Sequence, residues 1–268
     1  RQRSRRPSEV RTEAAALAAA GVGELVLVAQ DLSGYGQDLG APGGLADLLR
    51  LLSEVEGLRR LRLLYLHPRE IVGELIEEMA ANPVVAPYFD LSLQHSSGRL
   101  LRAMRRPGDG ESHLALISRI RAAAPHAALR SSFIAGFPGE TEDDAAALAE
   151  FLEAARLDWA GFFPYSPEEG TAAALLPGRV PAEEIAERVR LLESVQERIT
   201  AERSAAQVGR EVAVLVDHLE DGTPVGRSYR EAPEIDGMIL LDRGGAGDWL
   251  RARITGSYGS DTAAEVLA

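Results

Sequence analysis

The hydrophobic positions of the chain up to Ala206 alternate between two spacings. Ser8 to Ala20 has apolar residues at helical spacing after a polar start, whereas Glu24 to Ala29 is a short apolar run typical of a buried parallel strand. Further strands are predicted at Leu61 to Leu66, Tyr88 to Gln94, Leu129 to Ala135 and Trp159 to Pro164. Further helices are predicted at Gly44 to Glu54, Pro68 to Ala81, Gly110 to Ala124, Thr141 to Arg156 and Pro181 to Ala206.

Strands that alternate with helices predict right-handed βαβ units and a parallel sheet, either open or closed into a barrel. In both forms, ligands bind at the carboxyl ends of the strands. Polar residues cluster at these ends: Gln30-Asp31, His67, Gln94-His95, the turn from Gly136 to Glu140, and Tyr165-Ser166. We therefore expect a ligand site there, although turn chemistry alone also places polar residues at strand ends.

The pattern changes after Ala206. Residues 209 to 268 contain short alternating strands that are broken by glycine-rich turns. These strands are predicted at Glu211 to Val216, Gly237 to Leu241, Trp249 to Thr255 and Ala264 to Leu267. The segment is typical of a small β-barrel of the oligonucleotide-binding type.

Composition narrows the classes of function. The 268 residues carry a formal net charge of −12, which disfavours broad binding to nucleic acid and favours a basic protein partner. No apolar run approaches the ~18 residues that a membrane span needs, and no secretory signal follows Arg1. We therefore expect a cytoplasmic protein with no membrane role. The sequence contains no cysteine, which excludes disulfides, thiolate metal sites and cysteine-ligated clusters within this chain.

One segment joins a strand, a turn and the start of a helix. Ser132 to Asp144 reads Ser-Phe-Ile-Ala-Gly-Phe-Pro-Gly-Glu-Thr-Glu-Asp-Asp. Gly136 and Gly139 allow a positive φ or the close approach of a ligand to the backbone, and Thr141 forms a capping-box pattern with Asp144. The alternative is an ordinary βα turn whose acidic residues serve the helix dipole.

Gly136 to Thr141 resembles the motif on the fifth strand of radical S-adenosylmethionine enzymes, which packs beside the adenine of the cofactor. Leu25 to Asp31, followed by Tyr35-Gly36, resembles the second strand of the methylthiotransferases in this superfamily. Asp90 to Ser97 resembles their fourth-strand segment, and Phe162 to Thr171 resembles their sixth. The likeness implies an α/β fold, an incomplete (β/α)-barrel of the radical S-adenosylmethionine type, followed by a small all-β domain.

Gly226 to Gly237 reads Gly-Arg-Ser-Tyr-Arg-Glu-Ala-Pro-Glu-Ile-Asp-Gly. It resembles the signature of the RimO family, the branch that modifies a small-subunit ribosomal protein rather than transfer RNA. As sequence alone, it also fits a polar hairpin loop rich in turn formers. The β-domain resembles a TRAM domain, which is OB-like. The resemblance implies a partial core barrel at residues 1–203, without its first strand and cluster loop, and a TRAM-like barrel at residues 204–268.

The resemblance also implies the chemistry. In the family, S-adenosylmethionine is cleaved at a 4Fe-4S cluster to a radical that abstracts hydrogen from an unactivated carbon, and a methylthio group supplied through a second 4Fe-4S cluster replaces it. The cofactors carry this chemistry, so we expect no catalytic side chain. Arg3-Ser4-Arg5 resembles the family's residues just after the Cys-x3-Cys-x2-Cys loop that holds the first cluster. We expect this chain to ligate neither cluster and to be inactive by itself.

Position in the matched motifs identifies five candidate residues for binding S-adenosylmethionine: Gln30, Gln94, Arg130, Ile134 and Gly136. Two roles fit Arg130, pairing with the carboxylate of the cofactor or a buried structural ion pair. His95 either lines the substrate entrance or is a satisfied histidine that donates to the backbone. His67 is expected to be a helix-entry residue, and no metal ligand is expected in this chain.

The net charge of the β-domain indicates which kind of macromolecule it binds. Residues 209 to 268 hold six arginines against eleven acidic residues, a net charge of −5. A domain that grips RNA should be basic, whereas an acidic surface attracts a basic ribosomal protein; the acids could also merely solvate the surface. The leading hypothesis is a monomeric methylthiotransferase that modifies the β-carbon of an aspartate on that protein. The alternatives are a transfer-RNA methylthiotransferase and a cluster-free binding module.

Overall fold

The computed structural model describes residues 3–40, 44–71 and 73–268. Arg1, the first residue of the predicted partial barrel, and Val72, inside one predicted helix, lie outside the described residues. The chain divides into two compact units. Residues 1–92 and 118–129 belong to unit 1, and residues 93–117 and 130–268 belong to unit 2.

The predicted alternation of helices and strands is confirmed. The α-helices are α1 (Pro7–Ala19), α2 (Gly44–Ser53), α3 (Gly73–Ala81), α4 (Gly98–Ala103), α5 (Gly110–Ala123), α6 (Glu142–Ala155) and α7 (Ala182–Ala205). The strands are β1 (Glu24–Leu27), β2 (Arg60–Leu63), β3 (Tyr88–Gln94), β4 (Ala128–Ala135), β5 (Trp159–Pro164), β6 (Glu211–Glu220), β7 (Thr223–Arg227), β8 (Ile239–Leu241), β9 (Trp249–Tyr258) and β10 (Asp261–Val266). Within the described residues, no helix has the length and apolar character that crossing a membrane requires.

Three elements differ from the sequence-based expectation. The predicted helix from Pro68 to Ala81 is confirmed over Gly73–Ala81, where α3 lies, but its first part is wrong, because a 3-10 turn covers Pro68–Glu70 and ends at Ile71. The pattern does not predict α4, which has fewer than two turns and so little periodicity. It does not predict β7 either, because Pro224 lies inside that strand and proline argues against a strand assignment.

Unit 1 contains a parallel pair of strands with buried charge between them. β1 pairs with β2, so that Glu24 lies opposite Arg60. The Glu24 carboxylate lies 3.3 Å from Nη1 of Arg60 and 3.0 Å from Nε of Arg62. The Arg62 guanidinium also lies 4.7 Å from the ring centre of Tyr88. The two buried cations therefore have a carboxylate and an aromatic face as partners, as buried charges require.

Unit 2 contains the parallel pairing of β4 with β5, the last two strands of the sheet β3-β4-β5. Phe133 on β4 stacks on Phe162 of β5 with ring centres 5.8 Å apart, and Phe151 of α6 lies 6.1 Å from the Phe133 ring. One face of this sheet therefore packs on helices. Because side chains alternate along a strand, the residues between these aromatics face the other side.

The last five strands close into a barrel in the order β10-β8-β7-β6-β9, which confirms the predicted small all-β domain. Its core consists of aliphatic side chains: Val214, Val216, Ile239, Leu241, Ala252, Ile254, Ala264 and Val266. Gly226 on β7 has a packing reason to be glycine, because a Cβ there would lie 2.3 Å from the carbonyl oxygen of Leu215. The strands therefore approach each other more closely at this point than any side chain allows.

Asp158, the residue before β5, holds together three parts of unit 2. Its fully buried carboxylate accepts hydrogen bonds from Arg203 of α7 at 3.0 and 3.1 Å and from Arg230 at 2.9 Å. The Nε1 of Trp159 also donates to the carbonyl oxygen of Arg230 at 2.9 Å. The segment from Gly226 to Gly237 thus connects β7 to β8, as a hairpin loop does, but its first half is buried against the end of the sheet.

We predict that Asp158→Ala lowers the free energy of unfolding by about 3 to 5 kcal/mol, because the change leaves buried guanidinium groups without their carboxylate. Urea denaturation followed by tryptophan fluorescence measures this loss. Glu169→Ala removes a carboxylate from an exposed loop and should change the free energy of unfolding by no more than about 0.5 kcal/mol. Equal effects of the two substitutions would contradict the prediction.

Candidate functional site

The face of β4 that points away from Phe133 and α6 carries two of the five candidate residues, Arg130 and Ile134. Arg130, Ser132 and Ile134 alternate with the buried Phe133, so their side chains point to the same side of the strand, where Arg130 is buried and the other two are half-buried. In the register with β5, Ile134 lies beside Phe163, whose side chain is 53% exposed. An accessible apolar pair therefore stands at the carboxyl ends of β4 and β5, where ligands bind in parallel folds.

Gln94, the last residue of β3, has a strained backbone. Its φ is +69°, in the left-handed region that residues other than glycine rarely adopt. The N–H of His95 donates to the carbonyl oxygen of Leu93 at 2.9 Å, which closes a three-residue turn around Gln94. Turns of this kind with a positive central φ are uncommon and strained. Such strain concentrates at functional sites, which is consistent with the placement of Gln94 at a strand end.

The turn after β4 is held by the buried carboxylate of Glu140. Its Oε2 accepts hydrogen bonds from the N–H groups of Gly136 at 2.7 Å and Phe137 at 3.3 Å, and its Oε1 accepts one from Arg188 at 3.0 Å. Burial raises the pKa of Glu140, and these hydrogen bonds and the Arg188 charge oppose the rise. The N–H of Gly136 therefore forms its hydrogen bond within the turn. The sequence pattern places Glu140 in a polar turn but predicts no role for it, although an acidic residue directly after Gly-Phe-Pro-Gly was a usable signal.

Gly136 itself is closely packed. Its φ is +79°, and a Cβ at this position would lie 2.3 Å from Cγ1 of Ile185 on α7. Both the backbone conformation and the contact with α7 therefore require glycine.

The predicted capping box at the start of α6 is confirmed. Thr141 Oγ1 accepts from the N–H of Asp144 at 3.2 Å, and the Asp144 carboxylate accepts from the N–H of Thr141 at 2.9 Å. Arg99 of α4 donates both to the Asp144 carboxylate and to the carbonyl oxygen of Gly139. The pKa of Asp144 is lowered to about 2 by its backbone and side-chain donors and by Arg99, against the opposing effect of burial. These acidic and basic residues stabilise the turn and the helix start.

His95 is completely buried, so it does not line an entrance. Its Nδ1 accepts hydrogen bonds from the backbone N–H groups of Ser96 and Ser97, each at 2.9 Å, so the expectation that it donates to the backbone is wrong. The proton of the neutral ring is therefore on Nε2, which lies 3.8 Å from Oε2 of Glu140. Burial lowers the pKa of His95 to about 4. His67 accepts from the N–H of Arg69 at the start of the 3-10 turn, which confirms its predicted place at a helix entry.

Arg130 lies at the amino-terminal end of β4 and has a partner within the protein. Its Nε lies 3.4 Å from Oδ1 of Asp236, and both side chains are at least nine-tenths buried. Ile134 lies four positions after Arg130, which corresponds to ~13 Å along a strand. The structure therefore places Gln94, Ile134 and Gly136 at neighbouring strand ends, with Arg130 at the other end of β4. Cofactor binding by these residues stays a prediction.

Gln30 belongs to unit 1, in a turn after β1, and is exposed. It lines a cleft of about 790 Å³ along β1 and α1. Two segments that resemble the radical S-adenosylmethionine methylthiotransferases, Arg3-Ser4-Arg5 and Tyr35-Gly36, meet beside this cleft. Ser4 Oγ accepts from the N–H of Gly36 at 3.0 Å, and the Tyr35 hydroxyl donates to the carbonyl oxygen of Arg5 at 2.7 Å. Among residues 3–40, 44–71 and 73–268, no group of three or more His, Asp or Glu side chains is arranged to hold a metal ion.

Two models of known protein families match the chain, one in its first part and one in its β-domain. A family model described as the radical SAM superfamily matches residues 1–152, more than half of the chain. A model of the TRAM domain matches residues 208–267, which contain the closed β-barrel.

Curated proteins of three bacteria are similar to most of the chain. Ribosomal protein uS12 methylthiotransferase RimO of a Nocardioides species is 48% identical over 270 residues, 98% of this chain and 56% of that protein. The proteins of the same name from Moorella thermoacetica and Saccharopolyspora erythraea are 48% and 47% identical, over 96% of this chain in each case and 59% and 54% of their own lengths. The chain thus spans little more than half the length of these curated relatives.

Solved structures show the same fold at low sequence identity. Coproporphyrinogen III oxidase (HemN) from Escherichia coli, described as a radical SAM enzyme, superposes with a TM-score of 0.55 at 13% identity, covering 94% of this chain and 61% of that one. Methylornithine synthase (PylB) superposes with a TM-score of 0.50 at 13% identity, covering 70% and 53%. Together with the family matches, these likenesses confirm the predicted fold class.

Gly136→Ala is expected to lower the free energy of unfolding by about 3 kcal/mol, since it combines the cost of a positive φ with overpacking against Ile185. Gly170→Ala is the matched control: its φ is +81°, but nothing lies within 4 Å of the added Cβ. It should cost only about 1 kcal/mol. Thermal and urea denaturation compare the two variants, and equal losses would show that the contact with Ile185 is unimportant.

The stability of the fold should fall as the pH drops from 6.5 towards 4, in part because of His95. The unfolded histidine binds a proton near pH 6.5, whereas the folded one, with its pKa of about 4, does not. The unfolded state therefore takes up more protons in this window, and acidification costs up to ~3 kcal/mol at this group. His95→Gln retains an acceptor and does not titrate. Urea denaturation at pH 7 and pH 5 should show a smaller loss for this variant than for the unchanged protein; equal losses would refute the assignment.

Proposed function

The chain belongs to the radical S-adenosylmethionine superfamily, and from this we propose that it is the core barrel and β-domain of a methylthiotransferase. The proposed reaction adds a methylthio group to the β-carbon of an aspartate in ribosomal protein uS12. One observation carries the proposal: the identity of 48% over 98% of the chain to a protein named as a uS12 methylthiotransferase. The proposed protein is a monomer that acts in the cytoplasm.

The strand ends of unit 2 are suited to an adenosyl ligand. Ile134 and Phe163 form an accessible apolar surface that fits a flat base, and the strained Gln94 offers amide groups that both donate and accept. We propose that these residues of unit 2 bind S-adenosylmethionine. Gln30, in unit 1, stays a predicted cofactor-binding residue. When bound, this cofactor supplies the hydrogen-abstracting chemistry. The protein side chains orient it and exclude water from the reacting carbon.

An iron–sulfur cluster does not fit the residues of this chain. Thiolates hold such clusters, and the 268 residues contain no cysteine. The proposal therefore assigns the ligands of both 4Fe-4S clusters to residues outside this sequence. On this proposal, residues 1–268 are inactive by themselves.

The acidic β-domain supports a protein substrate over transfer RNA. Residues 209 to 268 carry a net charge of −5, which repels phosphates and attracts the lysines and arginines of a protein that binds ribosomal RNA. We therefore propose that this domain contacts uS12. Transfer RNA is the less favoured substrate.

The test is reconstitution of the complete gene product with iron and sulfide under anaerobic conditions, followed by incubation with S-adenosylmethionine, reductant and either purified uS12 or transfer RNA. We predict that mass spectrometry of uS12 peptides finds a methylthio group on one aspartate. Modification of transfer RNA alone would overturn the substrate assignment.

A matched pair of variants tests the proposed ligand surface in the same preparation. Phe163→Asp replaces an exposed apolar residue at the strand ends, and Leu175→Asp makes the same kind of change at an 87% exposed position away from the strands. The first should weaken S-adenosylmethionine binding at least about tenfold, in proportion to the apolar area that an aromatic ring buries, and the second should leave it unchanged. Equal affinities would remove Phe163 from the site.

A further inference from the structure

A second cleft in unit 2, of about 610 Å³, lies apart from the strand ends. Its walls are the first residues of β5, one side of α7, and the loops before β8 and between β9 and β10. β5 is an edge strand of its sheet, because it pairs only with β4 among the described strands. An unpaired strand edge presents backbone N–H and C=O groups to which an extended polypeptide can add.

The wall formed by α7 carries two acidic residues at helical spacing. Glu193 and Glu197 are exposed, four residues apart, and line the cleft on the same face of the helix. Neither forms an ion pair within the part of the chain that the structure describes. The next acidic residue on this helix, Glu202, pairs with both Arg156 and Arg198. The cleft wall therefore holds carboxylates that are available to a ligand.

Gln196 provides an unused acceptor at the same wall. Its side chain is held in place because Nε2 donates to the carbonyl oxygen of Leu157 and to Thr200 Oγ1, each at 3.0 Å. The residue is only 4% exposed and lines the cleft, yet its Oε1 accepts no hydrogen bond from the described residues. Buried polar atoms are nearly always hydrogen-bonded in folded proteins. This oxygen is consistent with a donor that arrives with a ligand.

Tyr258, at the end of β9, supplies an aromatic surface. Its side chain is 67% exposed and lines the same cleft. Aromatic rings attract cations over their faces, and guanidinium groups stack on them. Among the described residues that line the cleft, only Arg130 is a cation, and it already faces Asp236 at 3.4 Å. The unpaired charge of the lining is therefore negative.

We propose that this cleft binds an arginine side chain of the polypeptide substrate, with the substrate backbone running along the free edge of β5. A planar guanidinium has five donors that match two carboxylates and an amide oxygen, and its face fits the Tyr258 ring. The inference rests on the proposed function, since it identifies how the same protein holds uS12. It places recognition on α7 and on the loops of the β-domain, away from the residues proposed to bind the cofactor.

The test measures binding of fluorescently labelled uS12 to the complete gene product by anisotropy. The double variant Glu193→Gln, Glu197→Gln should raise the Kd about tenfold, as expected for the loss of two partly exposed charged hydrogen bonds. The double variant Glu183→Gln, Glu187→Gln is the matched control, because it removes the same charge at the same spacing from the exposed start of α7, outside the cleft. It should leave the Kd within about twofold.

Two further arms identify the ligand group. Treatment of uS12 with a peptidylarginine deiminase converts its arginines to the neutral citrulline. The citrullinated uS12 should bind weakly, and with the same Kd, to the unchanged enzyme and to the double variant Glu193→Gln, Glu197→Gln. Tyr258→Phe keeps the ring and should bind as the unchanged protein does, whereas Tyr258→Leu should bind about threefold more weakly.

The outcomes separate the two proposals. If uS12 is methylthiolated but the cleft and control variants bind it equally, the cleft assignment is overturned and the proposed function stands. If the cleft variants weaken binding of transfer RNA instead, the assignment to an arginine side chain fails. If uS12 is neither bound nor modified, the proposed function is overturned, and the cleft assignment that rests on it is overturned too.

Discussion

Asp158 is the contact on which the arrangement of unit 2 depends. It is fully buried at the start of β5 and binds Arg203 of the long helix and Arg230 of the loop that follows β7. A buried carboxylate is costly unless it is paired and hydrogen-bonded, so all three elements must be in place together. The same loop then brings Asp236 to Arg130 on β4. The loop that resembles a family signature is thus a structural connection between the sheet and the small β-barrel.

At the strand ends, most polar residues bind other parts of the protein and only a few residues stay accessible to a ligand. Glu140, Thr141 and Asp144 are used within the protein, because each of them holds the turn or the helix after β4. The residues left open to a ligand are Ile134 and Phe163, together with Gln94 and its strained backbone. The polar motif from Gly136 to Asp144 is therefore mostly structural, and the accessible surface beside it is apolar. This fits a large cofactor that brings its own chemistry.

Much of the fold could be predicted because local patterns and tertiary packing agree. The apolar run at Tyr88–Gln94 and the helical spacing at Gly110–Ala123 match the observed elements almost to the residue. The resemblance to the radical S-adenosylmethionine superfamily could also be recognised from short motifs. One of them contains Gly136, where the backbone conformation and the packing require glycine. Elements that break a local rule were the ones missed. Pro224 lies inside β7, and that strand exists because its neighbours in the closed barrel pair with it.

The order of residues along the chain is enough to predict the periodicity of strands and helices and the change to an all-β domain after the long helix, and it shows that the chain has no cysteine. These are properties of composition and of spacing along the chain. Which polar residues are used internally depends on the folded arrangement, since Arg130 meets Asp236 across 106 positions and Arg203 meets Asp158 across 45. The folded arrangement also leaves a buried oxygen of Gln196 without a hydrogen bond from the described residues. No local pattern encodes such pairings, because burial and partner choice arise when distant segments pack together.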